Sequence, residues 1–129
     1  MLSVEWKDNM KKDNIILNKS FDFAVRIVKL YRHLCDEKKE YILSKQLLRS
    51  GTSIGANINE AQAGQSKNDF IAKISIASKE ARESKYWIEL LIKTDYLVQD
   101  DCHVLTLVSE IDEIVKLLTS IVKTSQENR

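Results

Sequence analysis

Apolar residues recur every three or four positions through most of this chain, and this spacing places them on one face of an α-helix. Four segments show the pattern, and short polar stretches separate them. We therefore predict an all-α protein, an antiparallel up-and-down four-helix bundle. The predicted organisation is an N-terminal arm over residues 1–17, the bundle over 18–123 and a frayed tail over 124–129.

The helix boundaries follow from residues that favour helix ends. Asn18 is a favourable N-cap for the first helix, and Gly64 suits the end of the second. Ser66 and Asp69 resemble a capping box at the start of the third. Asp100 or Asp101 can cap the fourth. The predicted helices span 19–37, 40–63, 67–94 and a last segment that ends near residue 123.

The first helix carries two apolar stripes, whereas an isolated bundle needs only one. We therefore predict burial on two sides, either deep in the bundle or against another subunit. Trp87, on the third helix but away from its core face, is a further candidate for that contact. The first stripe is Phe21, Ala24, Val25, Val28, Tyr31 and Cys35, and the second, assigned to the subunit interface with Trp87, is Phe23, Ile27, Leu30 and Leu34.

The second and third helices have unusually small residues at their centres. Each glycine inside a helix costs about 1 kcal/mol relative to alanine, and close approach of a neighbouring helix would offset that cost. A phosphate-binding loop is a poor alternative, because no lysine follows the second glycine. We predict that the second and third helices pack closely through Gly51, Gly55, Asn57, Ala77 and Ala81, with the Asn57 amide fixing their register.

Composition agrees with a helical domain and narrows its setting. Proline is absent and glycine occurs only three times, so the chain has few turn signals. No segment approaches the roughly 18 consecutive apolar residues of a membrane span, and the charged N-terminus lacks the apolar core of a signal peptide. We expect a cytoplasmic protein without membrane contact, in which Cys35 and Cys102 are free thiols.

Candidate chemistry is sparse. His33, Cys35, Cys102 and His103 include metal-ligand types, but their spacing matches no zinc motif. The carboxylate pair Glu80 and Glu83 is interleaved with basic residues, which indicates surface ion pairing. Neither histidine follows a glutamate by three positions, as di-iron bundles require. We therefore predict no catalytic residues, no bound metal and no cofactor.

Charge is distributed unevenly, although the net charge is only +1. Residues 18–94 hold 14 Lys and Arg against 9 Asp and Glu, whereas residues 95–129 hold 3 against 7. Two interpretations remain open: solvated helix faces that attract one another, or a basic surface for a polyanion. The candidate phosphate contacts are Lys29, Arg32, Lys45, Arg49, Lys73, Lys79, Arg82 and Lys85.

The centre of the second helix also carries a family resemblance. The stretch from Ser44 to Ala61 reads SKQLLRSGTSIGANINEA, and so many small polar residues within one helix are rare. Together with SKNDF at 66–70, residues 77–83 and residues 87–97, it resembles the bacterial four-helix-bundle proteins encoded in intervening sequences of 23S rRNA genes. The similarity covers roughly residues 18–122.

This resemblance implies an up-and-down bundle that assembles into a homopentameric ring. A related branch comprises the accessory proteins of diversity-generating retroelements, which resemble basic pentameric barrels that contact reverse transcriptase and nucleic acid. This chain is much less basic than that branch. The leading functional hypothesis is therefore a non-enzymatic platform for protein–protein interaction, and the alternative is binding of RNA or DNA through the basic side chains of the first three helices.

Overall fold

The computed structural model describes the backbone of residues 4–128 and the side chains of residues 15–128. Within these residues every regular element is a helix, and each helix contacts the next one along the chain. The first helix also contacts the last, so the four close into a bundle. The all-α prediction is confirmed. The helices are α1 (Val4–Asp36), α2 (Leu43–Gln62), α3 (Lys67–Lys93) and α4 (Cys102–Glu127).

Neighbouring helices are antiparallel, as side-chain pairs between them show. On α1, Lys19 pairs with Glu113 and Arg26 with Glu110, so one helix ascends as the other descends. Between α2 and α3, Arg49 pairs with Glu80, and Glu60, further along α2, pairs with the earlier Lys73 of α3. These two helices are therefore antiparallel as well. The up-and-down topology follows from these registers.

Helices α1 and α4 are both longer than predicted. Helix α1 begins at Val4, so Asn18 lies inside it, with an exposed side chain, and is not an N-cap. The helix passes through residue 18 because Ile16, fully buried, continues the apolar face of the residues that follow. Helix α4 continues to Glu127 because Ser125 extends the buried stripe of Ile121 by another turn. The side chains of residues 1–14, most of the predicted arm, lie outside the described part.

The second of the two predicted stripes of α1 is the one that faces the core of the bundle. Phe23, Ile27 and Leu34 are completely buried within the chain, and Leu30 is half-buried against the same cluster. Their assignment to a subunit interface is therefore wrong. Helical periodicity reveals two stripes without showing which of them faces the bundle axis. The first stripe is the outer one, and Phe21 remains 68% exposed.

The glycines of α2 face α1, contrary to the prediction that they face α3. A Cβ atom at Gly51 would lie 3.0 Å from two side-chain carbons of Ile27, and one at Gly55 would lie 3.4 Å from the backbone oxygen of Ser20. The missing side chains therefore allow α1 to approach. Space for the side chain is tighter at Gly51 than at Gly55.

Contact between α2 and α3 uses serine and alanine instead. Ser84 Oγ lies 2.9 Å from Ser50 Oγ, and both side chains are fully buried. Ala77 and Ala81 of α3 are also fully buried, in accordance with their predicted packing role. Asn57 does not set the register between these helices, because its Nδ2 donates to the Ser53 carbonyl of its own helix at 2.8 Å.

The start of α2 is capped from inside the preceding connection by Glu40, a residue that the sequence pattern had placed in the helix. Its carboxylate accepts hydrogen bonds from the backbone N–H groups of Ile42, Leu43 and Ser44, at 3.1, 2.9 and 2.7 Å. Burial raises the pKa of Glu40, but these N–H donors outweigh burial and the net pKa is lowered. By contrast, the predicted caps Ser66 and Asp101 are confirmed by their bonds to the first turns of α3 and α4.

We expect Gly51→Ala and Gly55→Ala to have different effects on stability. Both substitutions gain about 1 kcal/mol of helix propensity. At position 51 the new methyl group meets the buried Ile27, and overpacking of this kind costs about 1–3 kcal/mol. Urea denaturation should show Gly55→Ala as neutral or stabilising and Gly51→Ala as less stable than Gly55→Ala. Equal midpoints would contradict the close approach at Gly51.

Glu40→Gln should lower the free energy of unfolding by about 1 kcal/mol at pH 7, as loss of a helix cap does. Because the folded pKa is depressed, the carboxylate's contribution is complete above the unfolded pKa of about 4.3 and is lost as the pH falls through the lower, folded value. The difference between wild type and variant should therefore shrink below about pH 4. Glu37→Gln, at an exposed position in the same connection, is the control. A difference that persists in acid would argue against the cap.

Candidate interaction surfaces

Three of the eight predicted phosphate contacts are already engaged inside the bundle. Arg49 bridges Glu80 and Glu83 of α3 through its two terminal nitrogens. Lys73 lies 2.7 Å from Glu60, and Lys85 lies 2.9 Å from Asp112. The hydrogen bond to Asp112 also raises the pKa of Lys85. These cations hold neighbouring helices together, which leaves less of their charge for a polyanion. The pairs belong to the seams α2–α3 and α3–α4.

The two carboxylates that bind Arg49 have pKa values that are shifted in opposite directions. The hydrogen bond from Arg49 is the main cause of the lowered pKa of Glu83. Burial is the main cause of the raised pKa of Glu80, which the charge of Arg49 only partly offsets. The hydrogen bond to Glu83 in turn raises the pKa of Arg49. The i, i+3 carboxylate pair thus serves as the acceptor for one guanidinium across a helix seam.

The acidic character of α4 is also used within the bundle. Glu113 lies 2.9 Å from Lys19, and Glu110 lies 2.7 Å from Arg26. Together with the pair between Asp112 and Lys85, these contacts join α4 to both of its neighbours. The uneven charge distribution of the sequence is therefore largely expressed as attraction between helices, which is the first of the two interpretations considered above.

The remaining candidate cations are exposed but dispersed. Lys29 and Arg32 lie on α1, and Lys45 lies on α2. Lys79 and Arg82 share the outermost ridge of α3, on which every third or fourth residue is exposed. Within residues 15–128, the hydrogen bond of Arg82 is a long one, 3.4 Å, to Thr119. From Lys79 onward, the exposed side chains that define the α3 ridge are Lys79, Arg82, Tyr86, Glu89 and Lys93.

An apolar opening lies between α1 and α2, on the outer stripe of α1. It has a volume of about 520 Å³, and Gly55 and Ala56 form part of its α2 wall. Phe21 stands at this opening, 68% exposed, and Val25, 40% exposed, lies one turn further along α1. Asp22 is the one ionisable residue among the side chains that line it. We call this surface the α1–α2 groove; it is lined by Leu17, Asn18, Phe21, Asp22, Ala24, Thr52, Gly55, Ala56 and Asn59.

Trp87 also packs within the chain. Its side chain is half-buried against the core. Tyr86 meets it edge to face, with ring centroids 5.1 Å apart and an angle of 76° between the planes. Of the two aromatic residues, Tyr86 is the more exposed, at 58%. A surface contact at this point would be made mainly by Tyr86.

The described residues contain no assembled metal site. Within them, no three side chains of His, Cys, Asp or Glu lie close enough together to hold a metal ion. Cys35 and Cys102 are both free thiols. None of the described helices has the length and apolar composition needed to cross a membrane.

The part of the chain that matches a known protein family is the part that forms the bundle. The family of 23S rRNA-intervening sequence proteins matches residues 12–120, which include all of α2 and α3. This chain belongs to that family. The match confirms the resemblance carried by the small-residue stretch of α2, and it extends into the part of α1 that precedes Asn18. The name of the family does not assign an activity.

A solved structure supports the fold of this family member. The crystal structure, at 1.70 Å resolution, is of a protein with unknown function from the S23 ribosomal protein family of Bacteroides thetaiotaomicron VPI-5482. It is 54% identical to this chain, with a TM-score of 0.82, over 87% of this chain and 98% of that one. A search of curated proteins finds no match. Nothing in these comparisons points to catalysis.

Proposed function

We propose that this family member is a non-enzymatic, self-associating scaffold whose α1–α2 groove meets a second copy of the chain. The observation that carries the proposal is the exposed outer stripe of α1, where Phe21 and Val25 stand beside an apolar groove. Large contiguous exposed apolar patches mark interaction sites on soluble proteins, and Phe21 and Val25 extend the apolar surface of the groove along α1. Aromatic residues that enter such depressions are frequent centres of binding energy in interfaces.

The chemistry of the groove favours a protein partner over a polyanion. Apolar and small side chains predominate, and the one charge among its lining residues, Asp22, is negative. The cores of protein interfaces are depleted in charge, because charged groups are costly to remove from water. A phosphate backbone would be repelled by Asp22 and would find no cation in the lining.

A second copy is a suitable occupant because the bundle offers apolar surface elsewhere too. Leu105 of α4 is 54% exposed, and Val108 is half-buried one turn further along. Helix α4 contacts α1 and α3 but not α2. A contact between the groove of one copy and α4 of the next would join two different surfaces, and such heterologous contacts generate rings when the rotation closes. The expected ring of five subunits comes from the family resemblance.

Light scattering coupled to size-exclusion chromatography tests this proposal. The wild-type protein should elute at a multiple of the 14.9 kDa chain mass at micromolar concentration. Phe21→Ser should weaken assembly at least about tenfold, because an aromatic anchor contributes roughly 1.4 kcal/mol or more. Val98→Ser, at another exposed apolar position, is the matched control. A wild-type mass of one chain, or unchanged assembly of the Phe21 variant, would refute the proposal.

Nucleic-acid binding is the second candidate function, and the α3 ridge is the observation that favours it. Lys79, Arg82 and Tyr86 lie on one exposed line at helical spacing. Lysine and arginine there can release counterions from phosphates, and tyrosine can stack on an unpaired base.

The second candidate is tested by fluorescence anisotropy with a labelled RNA hairpin and a DNA duplex at about 50 and 200 mM salt. Replacement of Lys79 and Arg82 by Gln should weaken binding and reduce the salt dependence by up to about two phosphate contacts. The control replaces Lys38 and Lys39, two exposed lysines of the α1–α2 connection. Absence of binding at low salt, or equal loss in both variants, would exclude the α3 ridge.

A further inference from the structure

A separate pocket lies between α1 and α4, under the connection that joins α3 to α4. Its volume is about 260 Å³. Leu30 and Leu107 are among the apolar residues that line it, together with the three basic residues Arg26, Lys29 and His103. It is distinct from the α1–α2 groove, with which it shares no lining residue. The lining residues of this α1–α4 pocket are Arg26, Lys29, Leu30, Leu97, His103, Val104 and Leu107.

Backbone hydrogen bonds hold the walls of this pocket in place. Leu97, 7% exposed, closes it from the α3–α4 connection, where the N–H groups of Tyr96 and Leu97 donate to the Leu91 carbonyl at 2.9 and 3.1 Å. On the other side, Asp101 accepts from the N–H groups of His103 and Val104 and so fixes the start of α4. His103 therefore stands at the first turn of a rigid helix.

One of the three basic residues, Arg26, already has hydrogen-bond partners on α4. Arg26 donates from Nη1 to Glu110 at 2.7 Å, and from Nη2 to the His103 carbonyl at 2.8 Å and to Thr106 Oγ1 at 3.0 Å. Its charge is balanced by Glu110. Lys29 and His103 are exposed, and neither forms an ion pair with another residue of the described part. They contribute basic groups to this pocket from opposite helices.

We propose that the α1–α4 pocket binds a small carboxylate with a short aliphatic chain. The four aliphatic residues of its wall suit the chain, and Lys29 and His103 suit the carboxylate. Pockets for drug-sized ligands measure roughly 300–1,000 Å³, so a volume of 260 Å³ fits a smaller molecule. A dianionic phosphate without an apolar part would leave these aliphatic walls unused. The proposal is independent of self-association through the groove.

Amide chemical shifts of the isotope-labelled full chain, titrated with hexanoate, provide the test. The expected result is a saturable change at Lys29, Leu30, His103 and Val104 with a Kd of about 1 mM or lower. Hexan-1-ol, which has the same chain without the charge, should bind at least about tenfold more weakly. No saturable change at these four amides, or equal affinity for both compounds, would overturn the proposal.

Two variants separate a specific site from general surface attraction. Lys29→Gln and His103→Gln should each weaken hexanoate binding severalfold, while their unbound spectra remain those of the folded protein. Lys79→Gln removes one charge from the α3 ridge, and α3 contributes no residue to the lining of this pocket, so the affinity should be unchanged. Equal weakening by Lys79→Gln would show attraction to net charge alone, and this result would also overturn the assignment.

Discussion

The contact of Ile27 with Gly51 fixes the rotation of α1 about its own axis, and the surface of the whole bundle depends on that rotation. Ile27 packs against α2 where residue 51 has no side chain, and a Cβ atom there would lie only 3.0 Å from two of its carbons. Phe23 and Leu34 lie on the same face and are buried with it. Phe21, two positions from Phe23, is about 200° away around the helix. The rotation that buries one phenylalanine therefore exposes the other.

Ion pairs between neighbouring helices also help to set how the helices are aligned. The acidic side chains of α4 and the carboxylates of α3 face basic residues across three of the four seams or corners of the bundle. Exposed ion pairs of this kind are each worth about 0–1 kcal/mol, so they contribute more to register than to stability. Their larger effect is on function, because a cation paired with a neighbouring helix is a poorer ligand for an incoming phosphate. Among the candidate phosphate contacts, Lys29, Arg32, Lys45, Lys79 and Arg82 form no such pair within the described part.

Most of the fold could be predicted from the sequence, whereas much of the surface could not. The helix number, the caps Ser66 and Asp101 and the burial of Ala77 and Ala81 follow from local patterns that need no knowledge of neighbours. The two stripes of α1 were both visible, but which one faces inward depends on the partner helix, and only the structure pairs Gly51 with Ile27. Glu40 was missed as a cap because its three backbone contacts require a bend at Lys39, where φ is +55°. The α1–α4 pocket joins residues more than 60 positions apart, and no spacing rule could have assembled it.

The order of the helix contacts has a consequence for how the chain folds. Three of the four seams join helices that are consecutive in the sequence, and only the contact between α1 and α4 joins distant parts of it. Proteins dominated by such local contacts fold on microsecond to millisecond timescales, because little loop-closure entropy is lost before each contact forms. The α1–α4 seam carries most of that loss, because it joins the first helix to the last. Among the four contacts, it is accordingly the one whose formation depends most on chain topology.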